Sequence, residues 1–318
     1  MHENPIVHSS GFSVSKIWDT APHNAFTDLC RFQGRWYCVF REGKTHGGTV
    51  GKIRILVSSD AFEWEDGGLI AERGVDLRDP KLSITPDNRL MLLMGGSRIK
   101  NGLYLNRQNR VSFSADGRLW DSPRPVLENG DWLWRLEWYQ GRGYGVSYRL
   151  KNSRIWELYL FTTPDGIHYE ALGKLPVKGK PNETTLRFSD SGTLCALVRR
   201  EGGNTRGYWG TSESPYTTWK FSSLGLRLGG PNFIFQTNGE PLIGTRMIRK
   251  PRGKPMEARM VLGILRDGQF VQRWELPSGG DCSYPGMGIW NGKLYISYYS
   301  SHEGKTAIYM AQSDWPPR

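Results

Sequence analysis

The chain contains no apolar run approaching the ~20 residues needed to cross a bilayer as a helix. Its opening, MHENPIVHSSGF, lacks the basic start and apolar stretch of a secretory leader. A cytoplasmic protein is expected from the chain as it stands, with a mature secreted or periplasmic form left open, and no membrane partner. Cysteine is scarce: four in 318 residues, too few for a disulfide scaffold. Cys195 and Cys282 lie far apart in sequence, and Cys30 and Cys38, which flank the turn at Gln33-Gly34-Arg35, are expected to stay free, because an unpaired thiol in a buried strand is the commoner state. Lys and Arg outnumber Asp and Glu by 42 to 31, for a net charge of +11. The basic residues are dispersed and gather into no stripe, which argues against nucleic acid as a partner. Long helices are missing too: 39 glycines and 18 prolines break them, and 13 Trp, 14 Tyr and 12 Phe favour pleated surfaces. Hydrophobic residues at 38% and charged residues at 23% exclude a disordered chain. The expected class is all-β.

A repeat organises what is present. Ser58-Ser59-Asp60-Ala61-Phe62-Glu63-Trp64, Ser114-Ala115-Asp116-Gly117-Arg118-Leu119-Trp120 and Thr163-Pro164-Asp165-Gly166-Ile167-His168-Tyr169 each place an Asp two residues after a hydroxyl and an aromatic four after the Asp. Looser echoes occur near Ser214, Asp267 and Asp314, so the markers are spaced by 56, 49, 49, 53 and 47 residues. A period near 50 with strand-sized segments between turns is the mark of propeller blades. Six blades are expected in one domain, over approximately 23–72, 75–127, 131–176, 181–228, 230–278 and 281–318. The last is short of a strand, and the alternating segment Phe12–Trp18 is expected to complete it and close the ring, removing exposed edges. The Asp-turns themselves read as structural, the Asp accepting backbone N–H bonds while the aromatic packs between sheets.

In a propeller the inner strands converge on an axial funnel, so chemistry is sought where inner strands begin and second strands end. The beginnings carry His23-Asn24 and Asp28, Arg78-Asp79, Trp134-Arg135 with Glu137, Asn182-Glu183, Pro231-Asn232 and Ser283-Tyr284. The ends carry Arg41-Glu42, Arg98, Tyr148-Arg149, Arg199-Arg200, Arg246, and Tyr299 with His302-Glu303. Polar residues recurring at one blade position define a shared surface, and the excess of arginine makes it positive. The expected partner is an anionic glycan or sugar acid. No metal and no cofactor are expected, and the oligomeric state is left open.

The Asp-turns, then Glu183, an arginine one hairpin later (Arg199 or Arg200), Arg246 in the next blade and Tyr284 opening the final one resemble the sialidase (neuraminidase) superfamily of Asp-box six-bladed propellers. HNAFTDL, LRDPKL, PNETTL, GGPN and SYYSSHEGKT also look like little-characterised bacterial sialidase-like proteins. The resemblance implies a glycoside hydrolase in which Tyr284 is the nucleophile, Glu183 takes its proton, and arginines bind the substrate carboxylate. That logic suits an anionic sugar: a carboxylate on the anomeric carbon repels an Asp or Glu nucleophile, so a neutral phenol replaces it. Two departures stand out. The family's first clamp arginine is absent, since His23-Asn24-Ala25-Phe26 occupies its place, and the loop Gly43-Lys44-Thr45-His46-Gly47-Gly48 holds no acid/base Asp. Arg41, Arg78 or Arg135 is the candidate to replace the clamp, and His46, Asp79 or Glu42 the acid; ordinary sialosides are expected to be poor substrates. His23, Asn24, Trp134 and Asn232 complete the expected binding set. Three other readings stay open: a furanosidase-type enzyme using Asp28, Asp79 and Glu183, suggested by Arg78-Asp79-Pro80; a lyase on uronates with His46 or His23 as base; and a glycan-binding propeller without turnover.

Overall fold

The computed structural model describes residues 7–9, 11–250, 253 and 255–315. Among them every regular element is a β-strand, and the strands form six antiparallel sheets, five of four strands and one of five. The first blade shows the common order. Its inner strand is His23–Phe32, followed outward by Arg35–Gly43, Lys52–Ser58 and Glu65–Ile70. The other inner strands are Val75–Ile84, Trp132–Tyr139, Pro181–Phe188, Asn232–Phe235 and Ser283–Trp290. The fold is therefore an all-β, six-bladed propeller.

Phe12–Trp18 pairs antiparallel with Ala307–Asp314 and joins the last sheet, and Val7–Ser9 adds a further strand outside it. Phe12 and Val14 enter the buried cluster containing Leu242, Leu262, Ile296 and Tyr309, so one segment closes two blades together. The three Asp-turns are built alike. Asp60 Oδ1 accepts the N–H groups of Phe62 (2.8 Å) and Glu63 (3.1 Å), and Asp116 and Asp165 do the same with the residues two and three further on. The Trp64 indole and the Tyr169 hydroxyl donate back to Ala61 and Gly166, which fixes the aromatic against the sheet.

The hairpin near Cys30 turns on two residues, Gln33-Gly34, both with positive φ, and its ends pair as Phe32↔Arg35. Cys30 consequently opposes Tyr37, and Cys38 opposes Leu29. The thiols fall one position out of register, on opposite faces of the sheet, and all four cysteines are free.

A second regularity positions the site. Near the start of the inner strand in five blades the ladder slips, two residues standing opposite one: Phe26-Thr27, Asp79-Pro80, Trp134-Arg135, Asn182-Glu183 and Tyr284-Pro285. These are β-bulges, which bend a strand and re-aim its side chains. Phe26, Asp79 and Tyr284 hold φ of 65°, 51° and 56° there, a left-handed conformation that non-glycine residues adopt only when surroundings enforce it.

The seam made by the N-terminal strand is testable. Phe12 is fully buried, with its ring edge-on to Trp274 at 6.3 Å. Phe12→Ala is expected to lower the unfolding free energy by about 3 kcal/mol, measured by urea denaturation.

Candidate active site

Tyr284, Glu183 and Asp79, from three different blades, face one cavity of about 430 Å³, whose wall is completed by Arg78, Arg107, Trp132, Tyr148 and Tyr104. The Tyr284 hydroxyl donates to Glu183 Oε1 at 2.6 Å. Arg199 Nη1 reaches both Glu183 oxygens at 2.8 Å, and the Gly230 N–H donates to Oε2 at 3.1 Å. Burial alone would raise the Glu183 pKa; the Arg199 charge and hydrogen bonds, the Tyr284 hydrogen bond and the Arg246 charge overturn this and hold it below its ordinary value. Glu183 is an anion that accepts a hydrogen bond from the phenol. Burial and then the Glu183 and Asp79 carboxylates push Tyr284 well up, so the phenol is neutral.

Asp79 behaves in the opposite way. Burial raises its pKa, although Arg78 and Lys81 pull against this. Arg78 Nε stands 3.6 Å from Asp79 Oδ2, and Asp79 Oδ1 is buried with no hydrogen-bond partner. The environment thus pushes the two carboxyls apart, Asp79 upward and Glu183 downward. Beneath Tyr284 lies Trp134, its ring centroid 5.4 Å away, with Lys81 Nζ 4.5 Å over the indole. Burial brings Lys81 down to about 8.

The remaining candidates divide. Arg78 lines the cavity, stacked over Phe26 at 4.8 Å. Arg246 lies behind it, giving Nη1 to the Cys282 carbonyl while its buried Nε has no partner. Arg41 does not reach the cavity, because its guanidinium is spent on Asp76 and the carbonyls of Thr45 and Thr49. Arg135 is committed to Asp28 through two bonds of 2.9 and 2.7 Å. The same carboxylate accepts the Leu82 N–H, so Asp28 is saturated and does not stand with Asp79 and Glu183. Arg200 faces away from its neighbour Arg199, as strand alternation requires, and binds Lys178, Asn204 and Arg206. Glu42 pairs with Arg54 and Trp18. Asn24 and Asn232 hold backbone: Asn24 binds Ala21 and Thr306, and Asn232 binds the carbonyl of Pro285, beside Tyr284.

His46 and His23 lie to one side. Both donate to or share a proton with Asp281 Oδ2, at 2.7 and 3.0 Å, and Tyr299 donates to Oδ1 at 3.0 Å. His46 sets its ring edge on Phe26, which in turn touches Tyr284. One ligand atom from each of His23, His46 and Asp281 falls within 4.8 Å of the others, a spacing that a divalent cation can bridge. Asp281 takes part in three side-chain hydrogen bonds, from His23, His46 and Tyr299, while His23 Nδ1 is buried without a partner. Tyr104, Arg107, Trp132 and Lys81 were not among the residues read from sequence. Lys81 stands two residues after the candidate Asp79; Tyr104 and Arg107 reach the cavity through a long hairpin whose course has no local signature.

No protein-family model matches the chain, and no curated protein matches it in sequence. Several solved structures share the fold. A Dyadobacter fermentans protein of unknown function superposes with TM-score 0.79 at 17% identity, over 96% of this chain and 99% of that one. The α-L-arabinofuranosidase arb93a of Fusarium graminearum gives 0.72 at 15%, covering 96% and 98%. Trypanosoma rangeli sialidase gives 0.69 at 13%, over 92% of this chain and 55% of the longer sialidase. The likeness is one of fold: each of these chains superposes over more than nine-tenths of this one.

Arg199 is the largest of the influences that hold Glu183 ionised. Arg199→Gln leaves its carboxyl buried without the guanidinium, and the Glu183 pKa is expected to climb above its ordinary value, followed by carbon-13 NMR titration of the side chain. An unchanged Glu183 titration would contradict this account of the pair.

Proposed function

We propose that the protein is a glycoside hydrolase that removes a terminal acidic sugar, with Tyr284 as nucleophile, Glu183 as its proton acceptor and Asp79 as acid and then base. The observation that carries this reading is the 2.6 Å contact between the Tyr284 hydroxyl and the ionised Glu183, in the cavity that also holds a buried Asp79. As the phenolic oxygen bonds to the anomeric carbon, its proton passes to Glu183. The glycosidic bond breaks, and the leaving oxygen takes the Asp79 proton. In the second half the Asp79 carboxylate draws a proton from water, whose oxygen displaces the phenol, and Glu183 returns its proton to Tyr284. The charge balance supports an anionic substrate: Glu183 is offset by Arg199, burial pushes Asp79 toward its neutral form, and Arg78 and Arg107 add positive charge to the cavity wall.

Arg199 is committed to Glu183 and Glu201, so recognition of a substrate carboxylate falls to Arg78, with Arg246 behind. A site with fewer free arginines than a three-arginine clamp forfeits roughly 10-fold or more in affinity per lost bidentate contact. Plain sialosides are therefore expected to be cleaved poorly, and another nonulosonic acid or a uronide better.

The test assays sialosides, other nonulosonic acids, uronides and arabinofuranosides side by side. Tyr284→Phe is expected to abolish turnover while substrate still binds; full activity in that variant sinks the mechanism. A product absorbing in the ultraviolet would instead indicate a lyase, and binding without turnover a glycan-binding protein. A preference for neutral arabinofuranosides would overturn the acidic substrate.

The pH dependence has a definite sign. Activity needs Glu183 ionised and Asp79 protonated. Glu183 is held below its usual ~4.3 and Asp79 above its usual ~3.9, so rate is lost as pH falls through Glu183 and lost again as it rises through Asp79. Asp79→Asn is expected to be slow and to lack the alkaline limb of the kcat/KM profile.

A further inference from the structure

A second concavity of about 360 Å³ opens on the same face of the propeller, a volume within the ~300–1,000 Å³ of small-ligand sites. It lies between the loop joining the second and third strands of blade 3 and the segment leading into the inner strand of blade 4. Trp156 forms part of its wall. Tyr148, which lines the catalytic cavity, stacks on Trp156 with centroids 6.5 Å apart, so one aromatic pair separates the two spaces.

The groove is cationic. Arg154, Lys174, Lys178 and Lys180 line it against a single carboxylate, Glu157, and that carboxylate is already taken by Lys174 at 2.5 Å and the Tyr159 hydroxyl at 2.7 Å. Lys151 adds a further cation 4.0 Å from Glu157. No carboxylate pairs with Arg154, Lys178 or Lys180 among the described residues.

The lysine turn is also held rigidly. Arg200 Nε donates to the Lys178 carbonyl at 2.7 Å, the Gly202 N–H to Gly179 at 2.8 Å and the Glu201 N–H to Lys180 at 3.0 Å. Gly179 and Lys180 both have positive φ, 88° and 52°. For Gly179 this is required twice over, because a Cβ would collide with the Arg200 guanidinium. Two unpaired ammonium groups on a turn pinned through every carbonyl form a preorganised anion site, and Arg200 is its positioning residue.

We propose that this groove is a second carboxylate subsite, which takes an acidic sugar further along the same glycan whose terminal residue enters the catalytic cavity. The proposal rests on reading that cavity as an acid-sugar site. The substrate class it implies is an oligomeric acidic glycan, since a monosaccharide derivative could fill only one of the two spaces.

The test uses the full chain carrying Tyr284→Phe, so that turnover does not intervene, with hexamers and dimers of galacturonic acid and of sialic acid, and a neutral cellohexaose control. The indole N–H resonances of Trp156 and Trp132, each assigned by its loss on substitution with Phe, report on the groove and the cavity separately. An acidic hexamer is expected to move both, to bind at least about 10-fold more tightly than its dimer, and to weaken with salt. Adding Arg154→Gln, Lys178→Gln and Lys180→Asn is expected to erase that advantage; should this variant melt early, Arg154→Gln with Lys178→Gln alone, both at exposed positions, is expected to reduce it. If Trp132 moves and Trp156 does not, or cellohexaose shifts Trp156 equally, the groove proposal is overturned and the cavity reading stands. If Trp156 moves alone, the cavity reading fails, and with it the shared glycan. If neither moves, both fail.

Discussion

The candidate site depends on a repeated break in an antiparallel ladder. A regular inner strand would send alternate side chains into the two neighbouring inter-blade layers, and none along the axis toward a ligand. Doubling one residue against its partner at Phe26-Thr27, Asp79-Pro80, Trp134-Arg135, Asn182-Glu183 and Tyr284-Pro285 bends each strand at its mouth and turns a side chain toward the funnel. Left-handed backbone at Phe26, Asp79 and Tyr284 costs on the order of 1 kcal/mol or more at each. That cost is carried by the buried blades, which also bring the tyrosine within 2.6 Å of a glutamate 101 residues distant in the chain.

Once the side chains converge, electrostatics assigns their states. Two carboxyls share a buried cavity and diverge because only one has an arginine in contact with both oxygens: Glu183 is ionised against Arg199, whereas Asp79 stands 3.6 Å from Arg78 with one oxygen unbonded. Much of the arginine excess is consumed in this and similar structural work. Arg41 and Arg135 neutralise the buried Asp76 and Asp28, and only what is left over defines the positive face toward ligand. A buried ion pair of this kind organises its surroundings more than it stabilises them, and around Asp28 it ties the inner strands of blades 1, 2 and 3 together.

Arg199 and Arg200 show how far a motif can be read without coordinates. Spacing brings an arginine one hairpin after Glu183, but the two adjacent residues lie on opposite faces, and one position of register decides which meets the glutamate. Cys30 and Cys38 make the same point, since a two-residue turn in place of a three-residue one removes them from each other's reach.

The all-β class, six blades, closure by Phe12–Trp18 and the structural role of the Asp-turns were all legible in sequence, because each rests on short-range chemistry repeated at a regular period: a hydroxyl, an Asp and an aromatic at set offsets. The candidate positions at strand beginnings were legible for the same reason. Which of them share a space was not. Trp132, Tyr104 and Arg107 enter, and Arg41, Arg135, Arg200 and Asp28 leave, through bulges, hairpin reach and polar contacts whose partners lie up to about a hundred residues away. Local sequence determines what a residue can do; whether it faces water, a counter-charge or the funnel is a property of neighbours that only the closed ring supplies.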